Sequence, residues 1–294
     1  EPGILFYDRI NDSPYKYTEQ ELISTNPCSE QPLPFNGSCN LGSIDLSKFL
    51  DEKKNFDWDK FEVTIRLGMR FLDSVIDRGV FPTEDIDRWA KENRAVGLGI
   101  MGYADLLLMK EIAYGSQEAL DILEEILAFM EKVSIDESEK MGREYGVPLE
   151  CQKLPEPRRN ITTNTVAPTG TISLIAGCSS GIEPIFSEIT VRNDKTGTYT
   201  FENDLSEKPY FRCAVSSNGT REVTWEEHIE TLAATQRHIQ SGVSKTINFP
   251  NNAKRESIAN AVMMAWQKGC KGVAVYRNGS RKVEVLSPKN IQKD

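Results

Sequence analysis

Apolar residues recur at helical spacing in four stretches of this chain. The most regular stretch predicts an amphipathic helix over 59–77 that ends before Gly79. Its apolar positions are Phe61, Ile65, Met69, Leu72, Val75 and Ile76. A longer apolar stripe predicts a helix that fills most of 115–146, and further helices are predicted over 225–240 and 257–268.

Apolar runs with β-branched or alternating residues predict strands at 161–166, 185–191 and 272–276. A turn is expected at 168–170, and the apolar run after it is expected to begin a helix. Because strands and helices alternate along the chain, the pattern favours an α/β fold. A mostly parallel sheet or barrel would then carry helices on its outside.

Composition narrows the class of protein. The chain has 294 residues, of which 39% are hydrophobic, enough for one large α/β domain or two small ones. No apolar run approaches the roughly 20 residues that cross a bilayer, and residues 1–3 do not begin a secretory leader. Six scattered cysteines do not form a disulfide scaffold, so we expect a reducing, cytoplasmic setting and no membrane partner.

The net charge of −9 argues against a nucleic-acid partner, because non-specific binding to nucleic acid needs a basic surface. A negative net charge does not exclude a small anionic substrate. Backbone N–H groups at the start of a helix can hold a phosphate whatever the charge of the whole chain.

The candidate chemistry lies in one short segment that contains Asn26, Cys28 and Glu30, with Cys39 eleven residues after Cys28. Alternate residues of an extended segment point the same way, so the first three side chains are predicted to converge on one small substrate. A hydrogen-bonding amide, a reactive sulfur and a proton acceptor together indicate a reaction centre.

Other interpretations of the cysteines remain open at this point. A Cys/His hydrolase would need a nearby histidine, but the only histidines, His228 and His238, lie in one predicted helix. Two cysteines eleven apart, with no CxxC or HxxxH pattern, make a poor zinc site. A buried structural pair is the third alternative, although burying Asn26 and Glu30 without partners would be costly.

Residues 97–102 match the G-x-G-x-x-G pattern of dinucleotide-binding proteins. The preceding segment, 89–94, is charged and helix-like, whereas that site requires a buried strand there. We therefore expect these glycines to allow close packing of a strand and a helix.

The segment NPCSEQPLPFNGSCNLGSIDL, residues 26–46, resembles the active-site finger loop of the large, catalytic subunit of ribonucleotide reductase. The spacing from Cys28 to Cys39 is similar to that of the class II, adenosylcobalamin-dependent members. Other segments resemble further motifs of the family in the same order. They are 94–105, 164–173, 180–184, 243–250 and 275–281.

The resemblance implies a ten-stranded α/β barrel made of two five-stranded halves, with the finger loop inside. Residues 1–282 would be the loop and the second half, and 283–294 a flexible tail. The first half would be missing, so the chain is expected to be a fragment or a split subunit that pairs with an N-terminal half. A half barrel alone would expose apolar surface and strand edges.

The resemblance also implies roles for the loop residues. Cys28 would be the thiyl site that takes the 3′-hydrogen of a ribonucleotide, and Glu30 the base that takes the 3′-hydroxyl proton. Asn26 would hold the substrate hydroxyls. Cys39 would be a redox cysteine whose partner lies in the missing half, with a thioredoxin-like protein as external reductant.

A second site implied by the resemblance binds the substrate phosphates. Its residues would be Pro168, Thr169, Gly170, Thr171 and Ser173. Glycine permits close backbone approach there, and threonines add hydroxyl donors. The remaining cysteines are expected to be buried structural thiols. They are Cys151, Cys178, Cys213 and Cys270.

The segment near the end of the chain has a single tyrosine, Tyr276, and in this it is similar to class II members. Membership of class II would imply adenosylcobalamin as the cofactor. Class I members carry two adjacent tyrosines and a diiron partner, and a class I fragment remains an alternative. Another is a non-catalytic chain that binds nucleotide or stabilises a partner. The presence of all four loop residues favours catalysis.

Overall fold

The computed structural model describes residues 3–194, 197–216, 219–280 and 286–288. The strands are β1 (Gly3–Leu5), β2 (Ser24–Thr25), β3 (Pro32–Leu33), β4 (Asn40–Asp45), β5 (Val96–Met101), β6 (Ile189–Asp194), β7 (Gly197–Glu202), β8 (Thr246–Phe249), β9 (Gly272–Arg277) and β10 (Leu286–Pro288). The helices are α1 (Tyr7–Ile10), α2 (Trp58–Arg78), α3 (Glu84–Asn93), α4 (Tyr103–Met109), α5 (Gln117–Tyr145), α6 (Ile172–Ala176), α7 (Trp225–Gln236) and α8 (Arg255–Gln267).

Parallel pairing connects most of the central strands. β4 pairs with β5, and β8 pairs with β9, both in parallel. Parallel bridges join β5 to residue 164, and residue 166 to residue 243, just before β8. Five parallel segments therefore follow one another across the sheet, and β1 adds an antiparallel strand beside β9. This is the partial α/β barrel that the sequence predicts.

The predicted strand at 161–166 joins its neighbours through isolated bridges and single backbone hydrogen bonds and does not form a continuous ladder. Its polar side chains form hydrogen bonds with backbone groups of neighbouring segments. The Asn164 side chain donates to His238 O and accepts from Gln240 N–H, and the Thr165 hydroxyl bonds to Gly242 O. Side-chain hydrogen bonds of this kind compete with a regular strand ladder.

Several predicted boundaries were wrong. The strand predicted from residue 185 begins at Ile189, because Ile185 O and the next carbonyl accept from 214–215 instead. Helix α7 ends at Gln236, whose side chain donates to two carbonyls of the following loop. The apolar pattern also gave no prediction of α1 or of the short 3₁₀ helix at Pro14–Tyr17. Within the predicted tail, 286–288 pair with β6; the rest of 283–294 lies outside the described residues.

The two longest helices form where the apolar stripes predict them. The Asp57 carboxylate accepts from Lys60 N–H at the start of α2, and the Ser116 hydroxyl accepts from Ala119 N–H at the start of α5. The predicted α2 stripe is buried except for Val75. Each fully buried apolar side chain contributes about 1.5–3 kcal/mol. The α2 stripe therefore holds this helix against β4 and β5, and α5 packs against α2 and α7.

The glycines of β5 allow an unusually close neighbour. A methyl group at Gly97 would lie 2.7 Å from Cγ2 of Thr165, and one at Gly99 would overlap the Thr165 carbonyl oxygen. The predicted close packing is therefore present, but the partner is the extended segment 162–166 and not a helix. These glycines lie inside a strand, where a dinucleotide site would need them in a turn.

We expect Gly99→Ala to lower the free energy of unfolding by about 3 kcal/mol, the upper end of overpacking costs, because the new methyl group meets backbone. Gly170→Ala is the matched control, since nothing lies within 4 Å of its added methyl group. Urea denaturation of both variants checks the difference. Equal stabilities would contradict the close contact between β5 and Thr165.

Among the helices of the described residues, none combines the length and the apolar character needed to cross a membrane.

Candidate active site

The cysteine segment forms the tip of a short hairpin. β2 and β3 pair in antiparallel fashion, which places residues 26–31 at the turn. Asn26 closes this turn, because its N–H donates to Gln31 O and its Oδ1 accepts from Gln31 N–H at 3.0 Å. A substrate contact from Asn26 would therefore come from its side-chain Nδ2 group.

The tip departs from the extended geometry on which the sequence argument depends. Ser29 adopts a left-handed conformation with φ of 69°, so the chain turns between Cys28 and Glu30. Cys28 is exposed, Asn26 is half-buried, and Glu30 is only 2% exposed. The turn brings these three residues onto one small loop, but only Cys28 has an exposed side chain.

Two distant segments fix the main chain of Glu30. Its carbonyl oxygen accepts from Gly242 N–H and from the Thr165 hydroxyl, each at 2.8 Å. A methyl group at Gly242 would lie 2.5 Å from Ser29 O, so only glycine allows this contact. Sequence reasoning missed both anchors, and nothing in the local pattern around Thr165 or Gly242 points to them.

The Glu30 carboxylate is buried and incompletely satisfied. Its Oε2 atom is without a hydrogen-bond partner among the described residues. A buried carboxylate oxygen in that state is costly unless another group bonds to it. A ligand hydroxyl is the kind of group that would satisfy it.

Cys39 lies immediately before β4 and packs against the smaller core cluster that includes Tyr15. Burial raises the pKa of the Cys39 thiol, and the nearby Glu30 carboxylate raises it further. Cys39 itself is half-buried, and its thiol lies within reach of the charge of the Glu30 carboxylate. None of the six cysteines forms a disulfide, and all of them lie in the described residues.

Three of the four remaining cysteines are buried, as predicted. Cys151, Cys213 and Cys270 are fully buried. Cys178 differs, because it is only half-buried beside Gly102 and Asp45. Burial and the Asp45 carboxylate raise its pKa to about 12.

The predicted phosphate segment is a turn that leads into α6. Thr169 has a left-handed φ of 54°, and its hydroxyl accepts from Gly181 N–H at 2.8 Å. Gly170 and Thr171 are exposed, whereas Ser173 is buried with its hydroxyl 2.8 Å from that of Ser180. Exposed backbone at 170–171 is open to an anion, and Ser173 serves the turn itself.

A short stretch of chain joins the hairpin tip, residues 26–31 and named the reaction loop, to the phosphate segment, residues 168–173. Thr165 bonds to Glu30, and four residues later Thr169 begins the turn before α6. An extended chain rises about 3.3 Å per residue, so these four residues separate the two places by at most about 13 Å.

The two loop cysteines should differ in reactivity. We expect iodoacetamide at pH 8 to alkylate exposed Cys28 first and Cys39 at least about tenfold more slowly. A raised pKa means a smaller thiolate fraction at any given pH, and the thiolate is the form that reacts. The Cys39 rate should keep rising above pH 9.

Peptide mapping by mass spectrometry measures both rates. Cys151, which is wholly buried, serves as the control and should react only on unfolding. Equal rates at Cys28 and Cys39 would contradict the raised pKa of the Cys39 thiol.

Comparison with known sequences identifies the class of protein. Residues 1–156 and 152–276 match the family described as "Ribonucleotide reductase, barrel domain". The chain therefore belongs to this family, as its motifs predict.

Two relatives carry the same name, vitamin B12-dependent ribonucleoside-diphosphate reductase. The protein from Thermoplasma acidophilum is 40% identical over 98% of this chain, and the one from Mycobacterium tuberculosis is 33% identical over 98%. This chain spans 42% and 46% of their respective lengths.

A solved structure supports the fold. The class Id ribonucleotide reductase alpha subunit of Actinobacillus ureae superposes with a TM-score of 0.78 at 22% identity. The superposition covers 95% of this chain and 58% of that chain. The fold described above is therefore that of the barrel of a reductase subunit.

Proposed function

We propose that this chain is the C-terminal, reaction-loop half, residues 1–282, of an enzyme that reduces ribonucleotides to deoxyribonucleotides. The observation that carries the proposal is the hairpin tip, where exposed Cys28 lies two residues from buried Glu30, whose Oε2 atom has no hydrogen-bond partner among the described residues. Two relatives with matching chains are named as ribonucleoside-diphosphate reductases, which supports this substrate class.

Each loop residue has a role in this reaction. Cys28, as a thiyl radical, takes the 3′-hydrogen of the ribose, because an S–H bond is weak enough to exchange reversibly with a C–H bond. Glu30 accepts the 3′-hydroxyl proton at Oε2, and the 2′-hydroxyl leaves as water after it takes a proton from one thiol of a cysteine pair. At the end of the cycle Cys28 returns the hydrogen to C3′. Asn26 orients the ribose hydroxyls, and backbone around Gly170 and Thr171 holds the substrate phosphates.

The electrons come from a pair of thiols. Cys39 and a second cysteine, supplied by the N-terminal half, lose two electrons and two protons as a disulfide forms. A thioredoxin-like protein then restores the thiols. The raised pKa of Cys39 keeps it protonated at neutral pH, so it begins the cycle as a hydrogen donor beside Glu30.

Adenosylcobalamin is the proposed cofactor, since both relatives are named as vitamin B12-dependent. When bound, it would supply the radical through cleavage of its cobalt–carbon bond. The structure fits a bulky cofactor at this place, because the Cys28 side chain is exposed at the tip of the loop and can be approached from outside.

The proposed N-terminal half would cover apolar surface that this chain leaves open. The outer face of α2 carries Val63, Leu67 and Phe71, which are 59%, 63% and 68% exposed. Within the described residues β4 pairs on one side only, with β5. An exposed apolar stripe and an open strand edge indicate a protein interface. Six thiols without a disulfide fit a cytoplasmic enzyme.

The test is deoxyribonucleotide formation from each of the four ribonucleotides with adenosylcobalamin and a dithiol. It is run on this chain alone and with the N-terminal region of its relatives. We expect product only when both parts and the cofactor are present. Product with a diiron subunit, and none with adenosylcobalamin, would refute the proposed cofactor and favour the iron-dependent class.

A further inference from the structure

A buried ion pair lies behind the phosphate segment. The Lys245 side chain is completely buried, and its Nζ atom lies 2.8 Å from Oε2 of Glu183. The other carboxylate oxygen of Glu183 accepts from Thr246 N–H at 2.6 Å. Burial lowers the pKa of Lys245, and the nearby Glu183 carboxylate opposes that change.

Glu183 belongs to segment 180–183, which supports the turn at 168–170, named the phosphate turn. Gly181 N–H donates to the Thr169 hydroxyl, and Tyr114 O–H donates to Ile182 O at 2.6 Å. The Lys245 ammonium lies 5.5 Å from the centre of the Tyr114 ring. Segment 180–183 is therefore fixed from behind by Lys245 and Tyr114 while its front holds Thr169.

The lysine belongs to the segment that supports the reaction loop. Gly242 N–H donates to Glu30 O, three residues before Lys245. Ser244 N–H donates to Val166 O at 2.8 Å, which keeps 242–246 against the chain that leads to the phosphate turn. One five-residue stretch thus holds the reaction loop at one end and Glu183 at the other.

We propose that Lys245 and Glu183 are positioning residues that set the phosphate turn at a fixed place relative to Cys28 and Glu30. This inference rests on the proposed function, because it concerns the same substrate. It assigns the pair to the phosphate end of that substrate. The ribose end has its own anchors, Gly242 and Thr165, which the pair does not touch through its side chains.

The test compares two ligands, a ribonucleoside diphosphate and the ribonucleoside without phosphates, bound to the assembled enzyme. Lys245→Met is expected to raise the dissociation constant of the diphosphate at least about tenfold and that of the nucleoside less than about twofold. Glu183→Gln is a milder change and should also raise the dissociation constant of the diphosphate more than that of the nucleoside. It keeps the test informative if the lysine variant folds poorly.

Glu137→Gln is the matched control. Glu137 is also buried and pairs with Arg66 and Arg70, but these residues join α2 to α5 away from the phosphate turn. We expect it to lower the melting temperature and leave the ligand ratio unchanged. Equal weakening of both ligands by Lys245→Met and Glu183→Gln, or no weakening, would overturn the inference. A wild-type enzyme that binds neither ligand would overturn the proposed function as well.

Discussion

Cys28→Ala is expected to reduce deoxyribonucleotide formation by about four orders of magnitude or more, the scale seen when the reacting group itself is removed. The side chain is exposed, so its loss leaves no cavity and should not weaken folding. Cys28→Ser should be equally inactive, although serine has nearly the same shape, because its O–H bond is too strong to exchange with a ribose C–H bond.

Product formation by the assembled enzyme is the measurement, with substrate binding determined in parallel. Cys270→Ala is the control, since that thiol is buried far from the loop in sequence and has no proposed role. Unchanged binding with no turnover would support the role of Cys28. Normal turnover by Cys28→Ser would refute it.

Asp73→Ala should lower the free energy of unfolding by about 3–5 kcal/mol, the cost of leaving buried charges without their partner. Asp73 lies on α2 and is 4% exposed. Its Oδ1 atom accepts from Arg94 and from Asn160, and its Oδ2 atom accepts from Arg159 at 2.7 Å. One carboxylate thus joins α2 to the start of β5 and to the chain before 162–166.

Urea denaturation of the purified protein measures this loss. Asp136→Ala is the matched control, because Asp136 also pairs with an arginine but is 43% exposed. Exposed pairs contribute about 1 kcal/mol or less. A loss at Asp73 no larger than the loss at Asp136 would show that the buried network does not hold these segments together.

Sequence reasoning predicted the elements that depend on local pattern. The stripes of α2 and α5 are long and regular, and burial of one face is enough to define such helices. The phosphate turn and the start of α6 were also predicted, because proline, threonine and glycine occur together at 168–170.

The features that the sequence did not predict depend on distant partners. Thr165 and Glu30 are 135 residues apart, and their contact decides where the reaction loop lies. The turn at Ser29 changes which side chains face outward, and its φ depends on the loop closure by Asn26. Segment 162–166 has the composition of a strand, but its side chains bond to backbone that the local pattern does not reveal.

The reaction loop is held by hydrogen bonds to its main chain, whereas its proposed chemistry depends on side chains. Gly242 and Thr165 both bind the main-chain oxygen of residue 30, an atom that every amino acid carries. Substitution at position 30 therefore alters the reactive group without removing what holds the loop in place. A different acid or base can therefore be placed at position 30, by natural variation or by design, while the hydrogen bonds to the main-chain oxygen stay the same.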